Sequence, residues 1–281
     1  MAPGRAQRPG ASARADLDLP TEDELLSCPF CEGREDRTPP ETFAIRPGGS
    51  QPDTPGWKVR VVPNLYPVFE HHEVVVSTPR HVRSFGELYE EEVGAVASAW
   101  RERSRAAREA GFPYVHALLN EGREAGASLP HSHTQLVWLD AAPPAVEAET
   151  GDDRAVGGHI RAEVESGERL VLERDGLAVL AAYGGRLPYE LLIAPTEHTG
   201  GSAFESDLLA SALGLLAESL RRIHALEGPA PLNAWLHDRG HWHVEVLPRL
   251  SVLAGIELGA GIYVNSLAPE AAAAALREVE I

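Results

Sequence analysis

Hydrophobic and polar positions follow two periods along this chain, and the order in which they alternate occurs twice. A period of two over Lys58–Val62 predicts a strand, and Glu73–His81 predicts a second strand that ends on a loop histidine. From near Ser84 to Ala110 the period lengthens, and Leu88, Val93, Val96, Ala97 and Trp100 fall on one side of a helix. A strand at Tyr114–Leu119, a Gly-rich turn and a strand at His131–Leu139 follow. The same order returns as Glu190–His198, then a helix over Ser206–Leu226 carrying Leu209, Leu213, Leu216, Leu220 and Ile223, then Leu232–His237 and His241–Leu247. A short helix at Pro269–Glu278 closes the chain. Duplication of a strand–helix–strand–strand unit is the simplest source of this pattern. It implies an antiparallel sheet with a helix on one face, hence an α+β fold of two related lobes. The expected boundaries are an extended N-terminal segment, 1–27, rich in Ala, Arg, Pro and Gly, a first unit, 28–150, and a second, 151–281.

Composition narrows the function. With 43% hydrophobic and 24% charged residues, the 281-residue chain can bury a sizeable core. Its 25 basic and 42 acidic residues leave a formal charge of −17, which repels a nucleic-acid backbone, and no basic stripe offsets it. Lys58 is the only lysine, so a Walker-type phosphate lysine is missing. No apolar run approaches a helical membrane span, and the first twenty residues hold no apolar signal core. The cytoplasm is the expected location.

The chemistry-bearing residues gather at a few places. Both cysteines lie in Cys28-Pro-Phe-Cys31. No strand pattern precedes that loop, which argues for metal over redox chemistry, and a tetrahedral site would need two histidines more. Spacing alone does not select them from twelve, although His81 and His131 are nominees. In a strand, His131, His133 and Gln135 share one face. The ordinary reading of such a pair is a solvated strand face. Here it follows Asn120-Glu-Gly122 and Gly126-Ala-Ser128, a turn whose N–H groups could cradle phosphate oxygens. A neutral imidazole is a competent nucleophile toward phosphorus, and the Gln135 amide could donate to an oxygen gaining charge. In the second half Glu245 stands where the first has Gln135, and the turn Asp238–Gly240 is shorter. A carboxylate repels a phosphoryl group, so that half reads as metal-binding or structural.

Taken together, Cys28-Pro-Phe-Cys31, His81 after a strand, and His131-Ser-His-Thr-Gln135 resemble the galactose-1-phosphate uridylyltransferase family of the histidine-triad superfamily. Trp57–Arg60, Asn64-Leu-Tyr-Pro67 and Gly255–Asn265 extend the likeness over nearly the whole chain. The resemblance implies two half-barrel units, with His133 as nucleophile and Gln135 as its phosphoryl-binding partner. It implies Asn120 and Ser128 as phosphate contacts, Asn64 as a nucleoside contact, and Glu257 as a residue holding sugar hydroxyls. It makes Cys28, Cys31, His81 and His131 ligands of a structural zinc. Glu149, His237, His241 and His243 fall where some members hold a second divalent metal, iron or zinc, with His198 as a further candidate. A homodimer is implied too. In the family a strand carrying an arginine precedes the segment matching Pro3–Pro9; here Met1 falls almost directly on that segment, so either this lineage dispenses with the strand or the chain starts late.

The implied activity is nucleotidyl transfer from a nucleoside-diphosphate hexose through a covalent nucleotidyl-histidine. Exchange of UDP-glucose with galactose 1-phosphate is the leading reaction. Ser132, Thr134 and Leu65 depart from the uridine-using pattern and look more like the ADP-glucose phosphorylase branch, so adenylyl transfer to phosphate is the alternative. That branch carries a second cysteine pair, which this chain lacks. A hydrolase or dinucleoside-polyphosphate phosphorylase would normally end the motif in a third histidine in place of Gln135. A non-catalytic, zinc-stabilised nucleotide-binding protein would not require His133, Gln135 and Asn120 together.

Overall fold

The structure, a computed structural model, describes residues 20–150 and 153–281. Helix α1 (Glu22–Ser27) precedes strands β1 (Phe43–Ile45), β2 (Val59–Pro63) and β3 (His72–Val76). Helix α2 (Glu90–Glu109) leads to β4 (Tyr114–Glu121) and β5 (His133–Leu139). After α3 (Pro144–Thr150) and α4 (Asp153–Ser166) the second half runs β6 (Leu170–Arg174), β7 (Leu177–Ala181), β8 (Leu191–Pro195), α5 (Leu209–Glu227), β9 (Leu232–His237) and β10 (His243–Pro248). Helices α6 (Gly255–Ala260) and α7 (Pro269–Arg277) end it.

The ten strands of the described residues form one antiparallel sheet in the order β1-β2-β3-β5-β4-β9-β10-β8-β7-β6. Read outward from the β4–β9 seam, the two halves are the same: β4-β5-β3-β2-β1 and β9-β10-β8-β7-β6. The chain is thus an α+β protein built on an internal duplication, and the repeated unit is two strands longer than periodicity alone indicates. At the seam Asn120 pairs with Asn233 of the other half.

Helices α2 and α5 pack together against one face of the sheet, and a single apolar cluster runs through both halves, from Val59, Val96 and Leu136 to Ile193, Leu213 and Val246. The opposite face is free of these helices and carries the chemistry. Under the cysteine loop it is closed by a small cluster of Cys28, Phe30, Trp57, Val62, Val74 and Val76. Strand β2 is therefore buried on both faces, although its sequence alternates. Its polar residue Arg60 is fully buried because Glu41 (2.9 Å) and Asp53 neutralise it.

Three expectations change. Within the segment 1–27, expected to be extended, Glu22–Ser27 is helical, started by Thr21, whose Oγ1 accepts from Glu24 N–H at 3.1 Å; residues 1–19 lie outside the described residues. The helix expected from Ser84 begins instead as a 3₁₀ turn, Phe85–Glu87, closed by a reciprocal Ser84–Glu87 cap. Extended backbone at Leu88 and Tyr89 then separates it from α2. The second half repeats this device, Ser202 capping Ala203–Glu205 before α5 starts at Leu209 instead of Ser206. Among the described residues no helix is long and apolar enough to cross a membrane.

Candidate active site and metal centres

Strand β5 sorts its side chains by the pleat. Thr134 and Leu136 face the helices, and Thr134 Oγ1 accepts from Trp100 Nε1–H at 2.9 Å. His133 and Gln135 face the other way, in register with Val76 and Val74 of β3. His131 lies just ahead of the strand, on the same side, and the Phe30 ring packs edge-on against both histidines, with centroids 6.1 Å from His131 and 5.3 Å from His133.

Cys28, Cys31, His81 and His131 converge, their candidate ligand atoms all within 4.8 Å of one another. Cys28 Sγ is 3.4 Å and Cys31 Sγ 3.7 Å from His131 Nδ1, and Cys31 Sγ is 3.3 Å from His81 Nδ1. A tetrahedral zinc with ordinary Zn–S and Zn–N bonds has S···N edges of about 3.5 Å, so the spacing fits. The outer nitrogens fit as well. His131 Nε2 donates to Thr78 O (2.9 Å) and His81 Nε2 to Glu24 Oε1 (2.8 Å), which leaves both Nδ1 lone pairs turned inward. Burial and the neighbouring Cys28 push the Cys31 thiol up to about 12, so a Cys31 thiolate here needs a cation. With two sulfur and two nitrogen donors the site is closed and has no position left for substrate.

His133 is buried, and its Nδ1 donates to His131 O at 2.8 Å. A carbonyl only accepts, so Nδ1 carries the proton and Nε2 keeps its lone pair. Burial holds the imidazole below its usual pKa, hence neutral at pH 7. Two residues on, Gln135 Oε1 lies 2.8 Å from His72 Nε2. Asn120, on β4, accepts at Oδ1 from Asn233 Nδ2 at 2.8 Å. The loop beyond it turns at Gly122 (φ 79°) and Gly126 (φ 91°) around the 3₁₀ turn Arg123–Ala125, leaving Ser128 exposed. Asn64 accepts at Oδ1 from Tyr66 N–H (2.9 Å) and turns its amide nitrogen to the His72 ring. Glu257 is buried at the start of α6, where Oε2 accepts from Ala254 N–H at 2.9 Å.

The second half repeats the frame with different chemistry. His243 Nδ1 donates to His241 O (3.1 Å), and His241 Nε2 donates to Pro195 O (2.7 Å), as His133 and His131 do in the first half. Of the expected metal group of Glu149, His237, His241 and His243, His241 stands apart. The group that converges is Glu149, His237, His243 and Glu245. His241 stands instead where His131 stands in the first half, 5.7 Å ring to ring from His198. Among the described residues no sulfur faces it and its buried Nδ1 has no hydrogen bond, and a Cβ on Gly157 of α4 would lie 2.9 Å away. In the convergent group His237 Nδ1 lies 2.8 Å from Glu149 and 3.5 Å from Glu245, and His243 Nε2 lies 3.6 Å from Glu149. Trp235 Nε1–H donates to His237 Nε2 at 3.1 Å, so the proton of that ring sits on Nδ1 and is given to Glu149. A metal at Nδ1 would have to displace both, and the arrangement fits a histidine–carboxylate hydrogen-bond cluster better than a coordination sphere. Despite its burial Glu245 is kept ionised, its pKa drawn down to about 2 by His243 and Arg186.

His72, Asn233, Trp235 and Arg186 were not singled out from the sequence. His72 carried a usable signal, since it is in phase with Val74 and Val76 along β3.

Known proteins resemble the chain over most of its length. A family model described as Domain of unknown function (DUF4921) matches residues 99–278. ADP-glucose phosphorylase of Arabidopsis thaliana is 28% identical, covering 100% of this chain and 90% of that protein. Galactose-1-phosphate uridylyltransferase of Thermotoga maritima is also 28% identical, over 93% of this chain and 92% of that one. The crystal structure of an ADP-glucose phosphorylase from Arabidopsis thaliana with bound ADP-glucose matches at a TM-score of 0.83 and 27% identity, covering 100% of this chain and 94% of that chain.

Proposed function

We propose that this chain, which belongs to the DUF4921 family and resembles galactose-1-phosphate uridylyltransferases and ADP-glucose phosphorylases along nearly its full length, is a nucleotidyltransferase acting on a nucleoside-diphosphate hexose through His133. One observation carries the reading: His133 is buried and neutral, its Nδ1 proton is committed to a backbone carbonyl, and its free Nε2 lies on the same strand face as Gln135.

In the first step Nε2 attacks the α-phosphorus. The P–N bond forms as the bond from that phosphorus to the bridging oxygen breaks, and hexose 1-phosphate leaves with the electron pair. In the second step a phosphate oxygen of the acceptor attacks the same phosphorus and His133 departs with its lone pair restored. No proton has to leave Nδ1, because its hydrogen bond to His131 O persists throughout. Gln135 and Asn120 donate to the equatorial oxygens as charge builds. Zinc held by Cys28, Cys31, His81 and His131 would supply cross-linking, tying the cysteine loop to the residue whose carbonyl aims the nucleophile. Asn64, Ser128 and Glu257 complete the reading as nucleoside, phosphate and sugar contacts.

Phosphorolysis of ADP-glucose is the favoured form of the reaction, supported by the full-length match to ADP-glucose phosphorylase and by Leu65 after Asn64. Exchange between UDP-glucose and galactose 1-phosphate is the second form, supported by the likeness to the Thermotoga maritima enzyme. A homodimer belongs to the reading, and the exposed side chains of Leu65, Tyr66, Val68 and Phe69 offer an apolar surface for it; sedimentation at micromolar concentration tests that point.

The decisive experiment is intact-protein mass after brief mixing with ADP-glucose or UDP-glucose in the absence of acceptor. A gain of one nucleoside monophosphate, lost in His133→Asn, is the expected result, and the nucleotide that produces it names the base. Free nucleotide accumulating with no adduct would replace this reading with hydrolysis.

A further inference from the structure

An amide side chain can present either its NH₂ or its carbonyl to a ligand, and only the NH₂ stabilises a phosphoryl oxygen. Both amides proposed to do so, Gln135 and Asn120, have a partner at their back that settles the question.

Behind Gln135 stands His72 of β3, buried, with Nε2 2.8 Å from Gln135 Oε1. The polarity of this contact follows from the other end of the ring. His72 Nδ1 receives the Val68 backbone N–H at 3.3 Å, whereas the Asn64 amide nitrogen, 3.3 Å from Nδ1 and 3.2 Å from Nε2, does not choose between the ring nitrogens. The Val68 N–H makes Nδ1 an acceptor, the ring proton lies on Nε2, and the Gln135 atom facing it must be the oxygen. The NH₂ of Gln135 is left for the site.

Behind Asn120 stands Asn233, across the seam between the halves. Arg249 Nη1, which can only donate, lies 3.1 Å from Asn233 Oδ1. That sets Asn233 Nδ2 toward Ala125 O and toward Asn120, each at 2.8 Å. A backbone carbonyl only accepts, so both ends of Asn233 agree. The Asn120 atom that meets it must be Oδ1, and the NH₂ of Asn120 is likewise left for the site.

We infer that His72 and Asn233 are positioning residues that hold Gln135 and Asn120 in the donor orientation, each through a relay headed by a group unable to accept: Val68 N–H for one, the Arg249 guanidinium for the other. The inference rests on the nucleotidyl-transfer reading. It gives the second half a task in the first half's chemistry, although Glu245 disqualifies that half from the same reaction. A reversed amide would turn a carbonyl oxygen toward the phosphoryl group, which forfeits a donor and adds a repulsive contact.

The test is a pair of double-mutant cycles on the full chain, His72→Leu with Gln135→Ala and Asn233→Leu with Asn120→Ala. The readout is the single-turnover rate of His133 nucleotidylation by the sugar nucleotide that modifies the wild type. Each positioning variant should slow the step about 10²-fold, the effect of removing one such donor. Each should then have almost no further effect once its amide partner is gone. His72→Gln, which can still donate to Gln135, should recover most of the rate. Asn233→Asp, the same shape without a donor and paired to Arg249, should be as slow as Asn233→Leu, which separates polarity from folding. Wild-type rates in the single variants, or equal slowing with and without the amide partner, would overturn the inference and leave the nucleotidyl-transfer reading standing. A wild type that forms no adduct with any sugar nucleotide overturns that reading, and the inference falls with it.

Discussion

Replacing Gln135 by Glu writes the second half's chemistry into the first, since Glu245 is the equivalent residue there. Two losses follow from the proposed nucleotidyl transfer. The amide donor facing the phosphoryl oxygens disappears, which costs about 10²–10³ in rate. A carboxylate takes its place, and a unit charge about 4 Å from a phosphoryl oxygen at an effective dielectric near 20 costs about 4 kcal/mol more, close to another 10³-fold. His72 opposes the second loss, because the introduced carboxylate can draw a proton onto the imidazole beside it. In the second half Arg186 supplies that compensation to Glu245 permanently, at 2.5 Å. His72 supplies it less well, since burial holds its pKa below the usual range. Gln135→Ala should therefore slow nucleotidylation about 10²–10³-fold and Gln135→Glu by more, up to about 10⁶-fold. The gap between the two variants should widen as pH rises and His72 loses its added proton. Rapid-quench mixing with mass detection of the His133 adduct measures both rates. A Gln135→Glu variant as fast as Gln135→Ala would refute the placement of residue 135 against the phosphoryl group.

Three further outcomes follow from the same structure. Stripping metal from the purified protein should release zinc at about one equivalent per chain, measured by elemental analysis, and lower the thermal midpoint, while Cys28→Ser and Cys31→Ser should prevent its retention. Gly122→Ala should destabilise by about 1–3 kcal/mol in urea unfolding, because φ is +79° and the added Cβ would meet Pro231 Cβ at 2.8 Å; the displaced Asn120–Pro130 loop should also slow nucleotidylation. His116 of β4, its Nδ1 buried and unpartnered, is pushed down to about 4 by burial and His237. The unfolded chain binds that proton near 6.5, so the contribution is complete above pH 6.5 and is lost as pH falls toward 4. Up to ~3 kcal/mol should disappear over that window, and His116→Leu should flatten the slope of the urea midpoint against pH.

Several features were legible in the sequence because they depend on local order. The pleat places residues i and i+2 on one side, so His131, His133 and Gln135 share a face in any strand that contains them. The two helical stretches and the flanking alternation exposed the duplication, since a repeated period does not depend on where the units pack. Other features were not local. The breaks ahead of α2 and α5 arise from caps that compete with the helical hydrogen bonds, which periodicity does not register. Arg60 alternates like a solvent-facing residue and is buried because Glu41 and Asp53, from the irregular segment ahead of β2, fold back onto it.

What the sequence by itself determined is therefore the repeated unit and the shared strand face of His131, His133 and Gln135. Only the tertiary structure decided which of twelve histidines meet the cysteines, why Glu245 and not His241 joins Glu149 and His237, and which end of each amide faces the site. The physical reason is that periodicity reports which face a side chain occupies, whereas convergence and hydrogen-bond polarity belong to contacts such as His72 with Gln135 and Asn233 with Asn120. Those contacts join residues far apart in the chain and exist only once the strands have paired.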